Sequence, residues 1–130
     1  MKNIFIDTDV LISYSKGRSP ELRALIDAQA AETILYINPV VIAEFMTDKN
    51  LEQTEIYNQA IELIALFSVK DITVEVGKIA GELRRKGLVN YLGDALIAAT
   101  CLFYHLNLYT KNLKDFHKVP SLNLFQPAQK

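Results

Sequence analysis

Short runs of apolar, β-favouring residues alternate with helix-length amphipathic stretches along this chain, and that alternation admits few folds. Residues 3–7 (NIFID), 33–37 (TILYI) and 106–109 (LNLY) are brief and mostly apolar. Runs of this kind mark strands buried on both faces. Residues 68–72 and 122–124 are weaker strand candidates. Helix patterns fill the intervals. Residues 10–16 follow Thr8 and Asp9, which can cap them, and Ser19-Pro20-Glu21 opens a helix with Leu22, Leu25 and Ile26 as its apolar stripe. Asn38-Pro39 opens PVVIAEFMT, and residues 54–67 carry a stripe through Ile56, Ala60, Leu63, Ile64 and Phe67. Thr73 precedes a helix with Val76, Ile79, Ala80 and Leu83 inward and Gly87 at its close, and Ala95, Ala98, Ala99, Leu102 and Leu106 mark another helix after Asp94. Ser, Thr or Asn before proline or an acid is the chemistry of helix starts, and glycine just past a helix supplies its left-handed end. The pattern predicts an α/β three-layer sandwich around a mostly parallel sheet of four or five strands.

The chain has 130 residues, half of them hydrophobic, which predicts one domain over 1–130 with a substantial core. Its one cysteine, Cys101, lies inside an apolar helix and reads as a small core residue. A lone cysteine makes no intramolecular disulfide, in keeping with a reducing compartment. The first acid is already at Asp7, too early for a signal peptide, and no apolar run reaches the roughly 18 residues of a membrane span. A cytoplasmic protein with no membrane attachment is expected. The net charge of −1 exerts no general pull on nucleic acid. The charge is uneven, however: residues 1–60 hold 5 Lys/Arg against 9 Asp/Glu, and residues 61–130 hold 9 against 6. The basic excess includes Arg84, Arg85, Lys86, Lys111, Lys114 and Lys118.

In a parallel sheet the working crevice lies beyond the C-terminal strand ends. Asp7, the segment from Asn38 to Glu44, and the segment from Thr110 to Asp115 should gather there. Glu44 is the only charge in VVIAEFM, so it is expected to be buried and to need a partner. Asp94 follows a glycine at a helix start, where the helix dipole should keep it ionised. Each of these acids alone could be a cap or a solvated end. Together, from separate segments, they form an oxygen-only set suited to Mg²⁺, with Mn²⁺ able to substitute. His105 and His117 do not stand at zinc-ligand spacing.

Four segments also carry a family likeness: Ile6-Asp7-Thr8-Asp9-Val10-Leu11-Ile12, Val41-Ile42-Ala43-Glu44, Asp94-Ala95-Leu96-Ile97-Ala98-Ala99-Thr100, and Thr110-Lys111-Asn112 with Asp115-Phe116. In this order the chain resembles a PIN-domain ribonuclease of the VapC type, the toxin half of many toxin–antitoxin pairs. The resemblance implies a metal site with Asp7 and Asp94 as its central pair and Glu44 as a further acid. Many members have aspartate where this chain has Asn112, so Asp115 is the nearby acid that could serve, and many have asparagine where it has Asp9. The resemblance further implies endonucleolytic cleavage of RNA, a homodimer and a cognate antitoxin.

On this reading Asp7, Glu44, Asp94 and Asp115 are the catalytic candidates, with Asp7, Asp94 and Glu44 as metal ligands. Thr110, Asn112, Arg84 and Arg85 are the substrate-binding candidates. Two other readings remain open. One is a PIN-like interaction module without catalysis. The other is a phosphoacceptor signalling domain, which needs an acceptor aspartate at a central strand end and has only Asp71 to offer.

Overall fold

Ile4, Phe5 and Ile6 are wholly excluded from solvent, and the sheet is built outward from them. The computed structural model describes residues 2–29 and 31–127. Strand β1 (Lys2–Ile6) pairs in parallel with β2 (Thr33–Ile37) on one side and with β4 (Asn107–Tyr109) on the other. Phe5 stands opposite both Tyr36 and Leu108. Strand β3 (Ser68–Val69) extends the sheet beyond β2, giving the order β3-β2-β1-β4. Three consecutive buried residues in β1 mean that both faces of the sheet are covered, as a parallel sheet requires.

The helices are α1 (Thr8–Ser15), α2 (Pro20–Asp27), α3 (Pro39–Phe45), α4 (Thr54–Ile64), α5 (Val74–Arg85), α6 (Leu92–Tyr104) and α7 (Leu113–Phe116). A 3₁₀ turn at Lys49–Glu52 precedes α4. α6 is the central one: Ala95, Ile97, Ala98, Ala99, Thr100 and Cys101 are all buried, and α3, α5 and β4 pack against it. Its alanines permit that close approach. Gly87, at φ 70°, closes α5 in the left-handed region and starts the chain back towards α6.

The expected sheet survives with shorter edges. The run 68–72 is a strand only at Ser68–Val69; one further bond, from the Lys70 amide to the Ile37 carbonyl (2.9 Å), ends the pairing. There the Lys70 ammonium sits 4.8 Å from the Tyr104 ring centre and 5.2 Å from that of Tyr36, a cation–π arrangement at the sheet edge. The 122–124 run is reduced to a single parallel bridge between Leu124 and Leu108. The helix at 54–67 ends at Ile64, and Phe67 enters the core from the turn that follows. Asp7, rather than Thr8 or Asp9, caps α1, because its carboxylate accepts the Thr8 amide.

One buried polar contact ties the sheet to α6. Asn38 is fully buried; its Oδ1 accepts the Val41 amide (3.0 Å) and its Nδ2 donates to Thr100 Oγ1 (2.9 Å). Thr100 in turn donates to the Leu96 carbonyl (2.7 Å). Asn38→Ala removes a cap and leaves buried groups unpaired, so it should lower unfolding stability by about 2–3 kcal/mol in a denaturant titration. A loss below about 0.5 kcal/mol, the range of an ordinary surface substitution, would show that this contact is dispensable.

Candidate active site

The strand order places a topological switch at β1: the chain moves from β1 to β2 and β3 on one side, then returns to β4 on the other. Ligands of parallel sheets bind at such a point, outside the C-terminal strand ends. The residues there are Asp7 and Thr110. The Asp7 amide donates to the Tyr109 carbonyl (3.0 Å), which locks the two strand ends together. Asp7 Oδ1 accepts the Thr8 amide (2.7 Å), and its Oδ2 accepts Thr110 Oγ1 (2.7 Å). Thr110 Oγ1 also accepts the Asn112 amide (3.0 Å), so this hydroxyl steadies the loop and the acid together.

Asp7 is 4% exposed, and burial pushes its carboxyl up to about 7. The charge of Asp9 adds to the rise and that of Asp94 adds less, while the Thr110 and Thr8 hydrogen bonds oppose it. Asp94, in the first turn of α6, rises to about 6, through burial first and then through the charges of Asp115, Glu44 and Asp9. The helix dipole was expected to keep Asp94 ionised; burial and its acidic neighbours outweigh that favourable end. Asp7, Glu44, Asp94 and Asp115, from four separate segments, therefore share one electrostatic neighbourhood, and Asp9 joins them. No Lys or Arg pairs with any of the five: the ion pairs among the described residues are Arg23–Asp27 and Lys86–Glu82.

Glu44 departs from expectation. It is exposed, not buried, because the seven-residue α3 buries only Val41 and Phe45 and turns the Glu44 side outward. It is nevertheless held. Thr8 Oγ1 donates to Glu44 Oε1 (2.6 Å), and a Cβ placed on Gly93 would stand 3.1 Å from Glu44 Oε2. Thr8 thus grips Asp7 through its amide and Glu44 through its hydroxyl, and Gly93 leaves the room that Glu44 occupies. Neither was a site candidate from the sequence. The adjacency of Thr8 to Asp7 and of Gly93 to Asp94 was the only signal.

The substrate-binding candidates divide differently. Thr110 is buried and its hydroxyl donates to Asp7, so it positions that acid. Asn112 is exposed, and its side chain makes no capping bond to α7. Asp115 is half-buried on α7 and bears on Asp94. Arg84 and Arg85 are exposed in the last turn of α5 and have no hydrogen bond or ion pair to the acids. Asp71 lies exposed after β3, a two-residue edge strand separated from β1 by β2. That position removes the central strand end a phosphoacceptor would need. Cys101 is a buried core residue beneath the site, its thiol pushed up by burial.

The donor set fits a hard cation in its chemistry: the candidate ligands are carboxylate oxygens, and Asp7 and Asp94 are driven toward protonation by burial and by neighbouring acids. Asp9 Oδ1 is buried with no hydrogen-bond partner, although its Oδ2 accepts the Lys111 amide (3.1 Å). Among the described residues no three His, Cys, Asp or Glu side chains are closed around one point.

A parallel α/β sandwich with carboxylates at its switch point defines the class of molecule. The chain belongs to the PIN domain family, whose model matches residues 4–122. It is 27% identical over 139 residues to ribonuclease VapC2 of Methanocaldococcus jannaschii, covering 95% of this chain and 93% of the relative. It is likewise 27% identical over 128 residues to ribonuclease VapC2 of Rickettsia felis, covering 92% and 93%. Among solved structures, the DNA-bound VapBC of Salmonella typhimurium matches with a TM-score of 0.81 at 21% identity, over 96% of this chain and 98% of that one. VapBC2 of Rickettsia felis, bound to a DNA fragment from its promoter, matches with a TM-score of 0.77 at 20% identity, over 94% and 96%. At these identities the structural likeness is one of fold.

The raised carboxyl of Asp7 has a consequence for stability. Below the ordinary value of 3.8 the folded and unfolded chains both hold the proton. Between there and about 7 the unfolded chain ionises while folded Asp7 does not, so the folded state loses ground as pH rises. In chelator, stability should fall across that window by up to roughly 4 kcal/mol from this group. Asp7→Asn should flatten the decline, as read from melting temperatures at several pH values. An equally steep decline in Asp7→Asn would assign it to other groups.

Proposed function

We propose that this chain, acting as one domain over 1–130, is a metal-dependent endoribonuclease and the toxin of a toxin–antitoxin pair. The observation that carries the reading is that Asp7 is buried at the sheet's switch point and that Asp94 bears the charges of Glu44 and Asp115, with no ion pair to any of these acids among the described residues. Relatives that span nearly the whole chain are named ribonuclease VapC, and similar folds occur in VapBC complexes. These support an RNA substrate and a cognate antitoxin.

Asp7, Asp94 and Glu44 would hold Mg²⁺, with Mn²⁺ as a substitute. The bound ion supplies charge neutralisation at the phosphodiester and a lowered pKa for water. The protein's own contribution is geometric. Thr110 and the Thr8 amide fix both oxygens of Asp7. Thr8 aims Glu44, whose Oε2 is free to orient a water and accept its proton. Asp115 acts through water beside Asp94. Water attacking phosphorus opposite the ribose 3′-oxygen leaves a 3′-hydroxyl and a 5′-phosphate.

A homodimer follows from the family resemblance. No helix among the described residues is long and apolar enough to cross a membrane, which is compatible with a cytoplasmic enzyme.

Purified protein should cleave RNA with Mg²⁺ or Mn²⁺ and stop in chelator. Asp94→Asn should cost at least about 10²-fold, the scale of one strong transition-state stabiliser. Full activity in chelator would overturn the metal-dependent reading, and a folded chain inert towards RNA under all metal conditions would make it an interaction module. Asp115→Asn should reduce cleavage less than Asp94→Asn and raise the Mg²⁺ concentration for half-maximal rate. An unchanged rate and titration would return Asp115 to the solvent.

A further inference from the structure

Beside the acids lies a basic cleft that the ribonuclease reading leaves unused. It is a shallow hollow of about 350 Å³ lined by Asp9, Ile12, Ser13, Lys16, Arg18 and Lys111. Three cations meet one carboxylate there, in a chain whose net charge is −1. None of the three is in an ion pair among the described residues. The one carboxylate, Asp9, has its Oδ2 on the Lys111 amide and its Oδ1 out of solvent, and it feels the Lys111 charge without forming an ion pair.

The three cations are organised by a single residue. The Ser13 carbonyl accepts the amides of both Lys16 (3.2 Å) and Arg18 (3.0 Å). Between them Gly17, at φ 71°, makes the left-handed turn that a side chain would strain. Ser13 Oγ accepts a hydrogen bond from Lys111 Nζ at 2.6 Å. A neutral hydroxyl fixes that ammonium, whose charge also acts on Asp9. Lys16 alone would be explained as a cation complementing the C-terminal end of α1. That role leaves Arg18 and the tethering of Lys111 unexplained.

The cleft is also joined to the acids through the backbone. Lys111 follows Thr110, which holds Asp7, and Asp9 lies two residues beyond Asp7. We infer that Lys16, Arg18 and Lys111, gathered on Ser13, form a subsite for an RNA backbone phosphate neighbouring the one positioned at the acids. Unpaired cations in fixed positions suit a phosphodiester, and the chain's overall charge requires such attraction to be local. The inference rests on the ribonuclease reading and deepens it.

The test uses the cleavage-silenced Asp94→Asn chain and a fluorescein-labelled single-stranded RNA, with anisotropy measured across a salt titration. In that background Lys16→Gln/Arg18→Gln should weaken binding about tenfold at low salt and lower the slope of log K against log salt by about 0.7 for each phosphate that is no longer neutralised. Ser13→Ala, which changes no charge, should weaken binding about threefold and leave the slope unchanged. Arg84→Gln/Arg85→Gln removes the same charge elsewhere and should have a smaller effect on both. Equal effects from the two double variants would assign the attraction to the general field and overturn the subsite. Undiminished binding by Lys16→Gln/Arg18→Gln would overturn it while leaving the ribonuclease reading intact, as would normal RNA binding joined to loss of antitoxin binding. No RNA binding by the Asp94→Asn chain at any salt concentration would remove the ribonuclease reading and the subsite together.

Discussion

A buried carboxylate at the end of the central strand organises this molecule. Asp7 is among its few nearly inaccessible polar groups, and it sits where β1 meets β4. Burying an acid without compensation is unfavourable, so the surroundings hold it from both sides. The Thr8 amide and the Thr110 hydroxyl take its two oxygens, and its own amide bonds to Tyr109. Those hydrogen bonds fix the crevice geometry as well. The strand pairing that forms the core and the hydrogen bonds that aim the acid are one continuous network.

The groups that hold the acids are neutral. Thr8, Thr110 and backbone amides supply the hydrogen bonds, and no lysine or arginine pairs with Asp7, Asp94, Glu44 or Asp115 among the described residues. A basic partner would bring the Asp7 and Asp94 carboxyls down and stabilise the fold. It would also remove the uncompensated negative charge that a cation could use. Threonine fixes position and leaves the charge in place. The result is a stretch of the fold that is destabilised by its own residues, as is common where geometry serves chemistry.

The buried framework was legible in the sequence because burial on both faces writes itself as uninterrupted apolar runs. β1 and β2 come almost residue for residue from that signal. Edges were less legible: Ser68–Val69 and Leu124 have one neighbour each, so their pairing depends on where flanking side chains go. Asp7 and Asp94 were singled out by their placement at a strand end and a helix start, and Asp115 by the family resemblance. Glu44 was singled out for burial it does not have. Its apolar neighbours Val40, Ile42 and Met46 are only half-buried, and a helix of two turns cannot bury every side. Thr8 and Gly93 were missed because their roles depend on a contact between segments 36 and 49 residues away from Glu44, which no local pattern encodes.

Helix α1 with its cap, and the loop after β4, divide the charge of this end of the molecule. Along the first, Asp7 faces Thr110 and Asp9 faces the Lys111 amide, while Ser13, one helical turn later, meets the Lys111 ammonium. Along the second, neighbouring residues do opposite work: Thr110 turns inward to an acid, and Lys111 reaches outward to the basic cleft. A loop whose adjacent side chains alternate in this way can keep negative and positive regions side by side without letting them pair. Had Lys111 reached an acid at the switch point, both regions would be neutralised. Its tether to Ser13 holds the ammonium near Asp9 but outside an ion pair. The separation therefore comes from hydrogen bonds to hydroxyls and amides, and its stability depends on the pairing of β1 with β4 that brings the helix start and the loop together.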